Sequence, residues 1–183
     1  ALEACRESLR IADEGDLASV HLTALSTLGE IYLGIKDFVQ AEAFLNQALA
    51  LSRERGARYD EFLNLQNVGK VALGQHDAAR ARAYFEEALT LAEVLNHRVG
   101  QFQCHKLLAD LHEQAGELAD ALRQFKTFHD QKETVFNENA NKRLAGLRVM
   151  HQVETARRDS EIHYLRTIEL KKEIEERKAA QAA

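Results

Sequence analysis

Apolar residues along this chain fall at helical spacing, and the same arrangement returns forty residues later. Leu25, Leu28 and Tyr32 lie three and four apart, and Ala41, Leu45, Ala48 and Leu49 mostly do as well. That spacing places each set on one face of a helix. Between the two sets lies Gly34-Ile35-Lys36-Asp37-Phe38, a link short enough to force the helices antiparallel. The hairpin is then repeated. Leu28-Gly29, Val68-Gly69 and Leu108-Ala109 fall in one column, Ala41, Ala81 and Ala121 in a second, and Leu45, Phe85 and Phe125 in a third. Asp37, Asp77 and Glu117 mark the turns. A fixed period of this size means that single units cannot bury their apolar faces alone and must stack.

The small columns predict close approach of the two helix backbones, with the Leu45, Phe85 and Phe125 column filling the gap to the next hairpin. A glycine inside a helix costs about 1 kcal/mol against alanine, so tight packing is the expected compensation at Gly29 and Gly69. Gly56 and Asn96 are suited to left-handed helix caps. The pattern predicts six helices from about Leu17 to about Gln131, stacked as three hairpins. A further helix over Ala1 to Ile11 follows the columns of Ala41 to Leu51, so the chain opens inside the second helix of a truncated repeat. Its end, Arg177 to Ala183, is a strong helix former without a stop signal. The chain therefore reads as a fragment. Three regions result: 1–14, 15–135 with the 40-residue period, and 136–183.

The strings Leu28-Gly29-x-x-Tyr32, Asp37-Phe38-x-x-Ala41 and Leu45-x-x-Ala48-Leu49 resemble the signature of the tetratricopeptide repeat (TPR) family over residues 22–128. Ala72 and His112 depart from the tyrosine position, and Phe128 departs from the alanine position. The period is forty rather than thirty-four, as in the long-helix variants of that family. The resemblance implies an all-α helical-hairpin solenoid whose first helices line a groove for a protein or peptide segment. Carried over residue by residue, that lining is Thr23, Ser26, Glu30 and Leu33, then Leu63, Gln66, Lys70 and Leu73, then Gln103, Lys106, Asp110 and Glu113. Leu63 and Leu73 would be its apolar anchors.

Composition changes the picture mainly at the C-terminus. Residues 142–183 hold ten basic and seven acidic residues, net +3, against fourteen and twenty-two over 1–141, net −8. The chain has no proline, where average usage would give roughly nine, and nine glycines in all. A continuous helix over 118–183 would extend roughly 100 Å, with Asn137, Asn139 and Asn141 its weakest stretch. Leu144, Leu147, His151, Glu154, Arg158, Glu161, Leu165 and Ile168 keep an alternating spacing of three and four. Only half are apolar, which predicts a weak, stuttered coiled coil and a homodimer through Leu144, Leu147, His151, Leu165 and Ile168. A helix folded back on the repeats is the alternative. Residues 153–178 are similar to the helical linkers of bacterial signalling proteins, above all the linker ahead of diguanylate cyclase domains of the GGDEF type. The GGDEF sequence itself is missing here.

Chemistry is weighed and set aside. His105 and His112 are seven residues apart, too far for the usual three-or-four spacing of zinc ligands on one helix, so His112 reads as a core residue and no metal is expected. Cys104 lacks a basic neighbour in its turn, and Cys5 and Cys104 are not spaced as a disulfide scaffold. The acidic repeats argue against nucleic acid, and no eighteen-residue apolar run suggests a membrane span. The expectation is a cytoplasmic binding and dimerisation module of a multidomain signalling protein, without cofactor or catalytic residues. The other class is a free-standing scaffold, adaptor or co-chaperone-like binding protein.

Overall fold

The structure, a computed structural model, describes residues 2–14 and 17–182, with side chains for 3–12, 17 and 19–171. Seven helices follow one another among these residues: α1 Leu2–Glu14, α2 Ala18–Gly34, α3 Phe38–Glu54, α4 Arg58–Gly74, α5 Ala78–Val94, α6 Arg98–Gln114 and α7 Leu118–Ala182. The protein is all-α: a TPR-like helical-hairpin solenoid followed by a long C-terminal helix. None of the described helices is long and apolar enough to cross a membrane.

Helices α2 to α6 each contain 17 residues, and three residues join each to the next. The long period is therefore carried by long helices. The turns within hairpins and the turns between them are alike. Each has a left-handed residue at its centre: Lys36 (φ 63°), Gly56 (65°), His76 (64°), Asn96 (51°) and Gly116 (76°). The hydrogen bonds repeat as well. Asp37 N donates to Tyr32 O at 2.9 Å and Lys36 N to Leu33 O at 3.1 Å, and the pairs Asp77–Ala72 and His76–Leu73 do the same at 2.9 and 3.0 Å. This pair of hydrogen bonds into the last helical turn satisfies carbonyls that a helix end leaves orphaned. Gly56 and Asn96 occupy the positions expected of them, whereas Lys36 and His76 carry no sequence signal for that conformation. Their backbone is held by the hydrogen bonds and by the helices on either side.

His76 is exposed, and its left-handed backbone costs an L-residue roughly 1–2 kcal/mol. His76→Gly is therefore expected to raise stability by about 0.5–1 kcal/mol after the greater chain entropy of glycine is set against that relief. Urea unfolding of both proteins would measure it, and an unchanged or lower midpoint would contradict the strain.

In the first two hairpins the helix after the intra-hairpin turn starts on a side-chain cap. Asp37 accepts from Gln40 N at 3.2 Å and Asp77 from Arg80 N at 3.0 Å. Ala41 and Ala81 are fully buried and Ala121 is 9% exposed. Gly29 and Gly69 serve a different contact from the one expected. A Cβ at Gly29 would stand 2.4 Å from Leu45 Cγ, and one at Gly69 would stand 2.4 Å from Phe85 Cε1. Each glycine is thus the seat for the large side chain of the third column, and Leu45 and Phe85 are fully buried there.

The third unit breaks the pattern. Its seat position carries Ala109 in place of glycine, and Phe125 is 50% exposed. The expectation that Phe125 fills an inter-hairpin gap like Phe85 is corrected on this point. Phe128, which replaces the fully buried Ala48 and Ala88, packs instead against Phe125 and Phe102 with ring centroids 5.7 and 6.0 Å apart.

Ion pairs bridge successive hairpins across the exposed side. Glu42 receives Gln75 at 2.7 Å and Arg80 at 2.5 Å, Arg53 joins Glu61 at 3.1 Å and Glu87 at 2.5 Å, and Arg82 reaches Glu117 at 2.7 Å. Most of these partners are partly solvated, so each contributes at most about 1 kcal/mol. They set register more than stability.

The chain divides into two compact units, Ala1–Val135 and Phe136–Ala183. The second is helical throughout its described residues, with no break at Asn137, Asn139 or Asn141. Its described side chains are exposed.

Candidate functional site

A groove with a volume of about 620 Å³ opens on the first unit, walled by α2, α4, α6 and the first turns of α7. Glu30 comes from α2; Leu63, Gln66, Asn67 and Lys70 from α4; Phe102, Gln103, Lys106, Leu107 and Asp110 from α6; and Phe128 and Lys132 from α7. These positions recur on the first helices because residues three and four apart share a face, and that face lies one turn away from the packing columns.

A polar chain crosses the floor. Lys70 Nζ donates to Asn67 Oδ1 at 3.1 Å, and Asn67 Nδ2 donates to Glu30 Oε1 at 2.9 Å. Burial pushes the Lys70 ammonium below its ordinary range, while the carboxylate of Glu30 acts in the opposite sense. Beneath it Gln66 Nε2 donates to Cys104 Sγ at 3.2 Å. Burial raises the Cys104 thiol to about 11, so it is protonated and packs as a core residue. Lys106 pairs with Asp110 at 2.7 Å on the rim. Lys132 sits over the Phe128 ring, 5.2 Å from its centroid. The site is thus an apolar wall of Leu63, Phe102, Leu107 and Phe128 facing a partly desolvated cation. It holds no arrangement of nucleophile and base.

Of the residues inferred from resemblance, Glu30, Leu63, Gln66, Lys70, Gln103, Lys106 and Asp110 come together around this groove. Thr23 lines a separate hollow with Cys5, Ser8 and Thr27 between α1 and α2. Leu73 lies beside His76, Leu111 and Ala115, and Glu113 lies beside Leu118 and Leu122. Leu33 is half-buried against the main core, and Ser26 is half-buried. Sequence reasoning missed Asn67, Phe102, Leu107, Phe128 and Lys132. The one available signal was Phe128, an aromatic in an alanine column.

His112 is buried, 8% exposed, with Nδ1 at 2.5 Å from Glu117 Oε2. With Asp120 these two form a set of potential metal ligands whose atoms lie within 4.8 Å of one another. Both carboxylates already face arginines, Glu117 with Arg82 at 2.7 Å and Asp120 with Arg123 at 2.8 Å. The hydrogen bond from His112, with further help from Arg82, holds the Glu117 carboxyl below its usual range. The cluster ties α5, α6 and α7 together.

Comparison with known proteins bears on the fold. Residues 61–130 match the family model described as tetratricopeptide repeat. No curated protein sequence matches the chain. Among solved structures, the TPR domain of FLU from Arabidopsis is similar at 19% identity and a TM-score of 0.61, over 64% of this chain and 98% of that one. Aspartyl phosphate phosphatase F from Bacillus subtilis is similar at 18% identity and a TM-score of 0.68, over 73% of this chain. The match spans 35% of the phosphatase's own length. At these identities the likeness is one of fold.

Proposed function

We propose that this chain is a protein-interaction and dimerisation module: the groove takes a segment of a protein partner, and α7 pairs with a second copy. In this reading it is the cytoplasmic regulatory or sensory part of a multidomain bacterial signalling protein, and the reaction belongs to an output domain outside this chain. TPR folds serve as binding scaffolds, and the repeat match over 61–130 supports that role here. The observation that carries the reading is the groove itself. Four apolar side chains face a half-buried Lys70 that donates to Asn67, an arrangement that gains from a partner supplying both apolar surface and acceptors. The exposed Leu144, Leu147, His151, Leu165 and Ile168 of α7 support the second half.

The groove is tested by panning a random twelve-residue peptide library against the full chain and titrating the recovered peptides. Lys70→Glu with Lys106→Glu is expected to weaken them roughly tenfold or more, at least about 1.4 kcal/mol, while helicity by circular dichroism stays unchanged. Equal affinity for both proteins would remove these residues from the site.

A further inference from the structure

Between Leu144 and Ile168 one exposed face of α7 is apolar at both ends and charged between them. The helix is unbroken through this stretch, about 36 Å long at 1.5 Å per residue. In chain order the face carries Leu144 and Leu147, then His151, Glu154, Arg158 and Glu161, then Leu165 and Ile168. All of them are exposed. Their spacing alternates three and four, so each meets one residue of a like helix laid along it, and the direction of that helix decides which.

A parallel copy in register sets every residue against itself. Glu154 then lies on Glu154, Arg158 on Arg158 and Glu161 on Glu161, three successive layers of like charge. An antiparallel copy sets each residue against its mirror position about residue 156. Leu144 then meets Ile168, Leu147 meets Leu165, His151 meets Glu161 and Glu154 meets Arg158, and the two-fold axis repeats all four pairs. No like charges are opposed in that seam. Beside it the two directions are even, since Arg157 approaches Arg157 of the other copy in the antiparallel pair and Arg143 approaches Arg148 in the parallel one.

We infer that α7 pairs with a second copy of the chain in the antiparallel sense, centred on residue 156. This rests on the dimerisation reading above and fixes the orientation of the same surface. Charge complementarity selects the occupant, because Glu154 and Arg158 are each other's complement in the one register that also lays the four apolar residues on one another. A slip by one heptad sets Leu147 on Arg158 or Glu154 on Leu165. The segments that follow Ile168 then leave the pair at opposite ends.

The test uses the full chain with Cys5→Ser, made once with His151→Cys and once with Glu161→Cys, one of the two carrying an affinity tag so that mixed and self pairs separate by mass. These positions face one another in the antiparallel pair, whereas identical positions are offset by ten residues, roughly 15 Å, beyond the reach of a disulfide. Mild oxidation at roughly a hundred micromolar, above the expected dissociation constant, should link the mixture several-fold more than either protein alone. It should also exceed a Val39→Cys control, whose position is 72% exposed and outside α7. Self-linked product in excess overturns the orientation and leaves the dimerisation reading standing. Linkage no higher than the control overturns it too, and sedimentation then tells whether α7 pairs at all. Exchange of charge gives a second readout: Arg158→Glu is expected to weaken self-association roughly tenfold, and Glu154→Arg in the same chain to restore it. Only an antiparallel pair opposes these two positions, so equal dissociation constants for the single and double variants overturn the proposal.

Discussion

Phe85→Ala is expected to destabilise the first unit by about 3–5 kcal/mol, whereas Phe125→Ala, in the same repeat column, should cost about 1 kcal/mol. The difference follows from burial. Phe85 is fully buried because Gly69 leaves a seat for its ring, and a Cβ there would stand 2.4 Å from Cε1. Removing the ring leaves a cavity between α4 and α5 that rigid helices cannot collapse. Phe125 is half exposed and loses mainly its tilted ring contact with Phe128. Urea unfolding of the two single variants measures both effects. Similar losses would show that Phe125 is seated like Phe85, and would contradict the description of the third hairpin.

Replacing Leu165 and Ile168 with lysine is expected to abolish self-association through the second unit while leaving the repeats folded. Leu144, Leu147, Leu165 and Ile168 are 50, 64, 57 and 48% exposed on one helix, and exposed leucines at three-and-four spacing are stabilised by a like helix. His151, Glu154, Arg158 and Glu161 interrupt that seam. The pairing should therefore be weak, with Kd on the order of micromolar, about −8 kcal/mol. Four lysines per dimer in the seam would remove more than that energy is able to offset. Sedimentation at rising concentration decides the matter. A wild-type chain that stays monomeric at roughly a hundred micromolar, far above that constant, sinks the coil. On the proposed reading, a parallel arrangement would deliver two output domains to the same end.

Much of the first unit was legible because its information is local. Helical spacing, the turn markers Asp37 and Asp77, and the glycine and asparagine turns at Gly56 and Asn96 each act within a few residues. A forty-residue echo then multiplies every such signal. The left-handed Lys36 and His76 were not legible, since neither residue type asks for that backbone. There the two flanking helices impose the turn.

The groove was legible in part. Glu30, Lys70 and Lys106 follow from position in the repeat, because a repeat's geometry fixes which turn of its first helix faces inward. Phe102, Leu107 and Phe128 do not, since an aromatic or a leucine on a helix reads as core until its neighbour is known.

What the sequence determined by itself, then, is helix, hairpin and period: quantities set by backbone hydrogen bonding and by which face of a helix is apolar. What only the tertiary structure decided is the fate of side chains that share a column. Leu45 and Phe85 are seated by Gly29 and Gly69, Phe125 of the same column is half exposed, and Phe128 lies in the groove wall. A close-packed interior is settled by contacts between residues far apart in sequence, and no pattern along one helix carries that information.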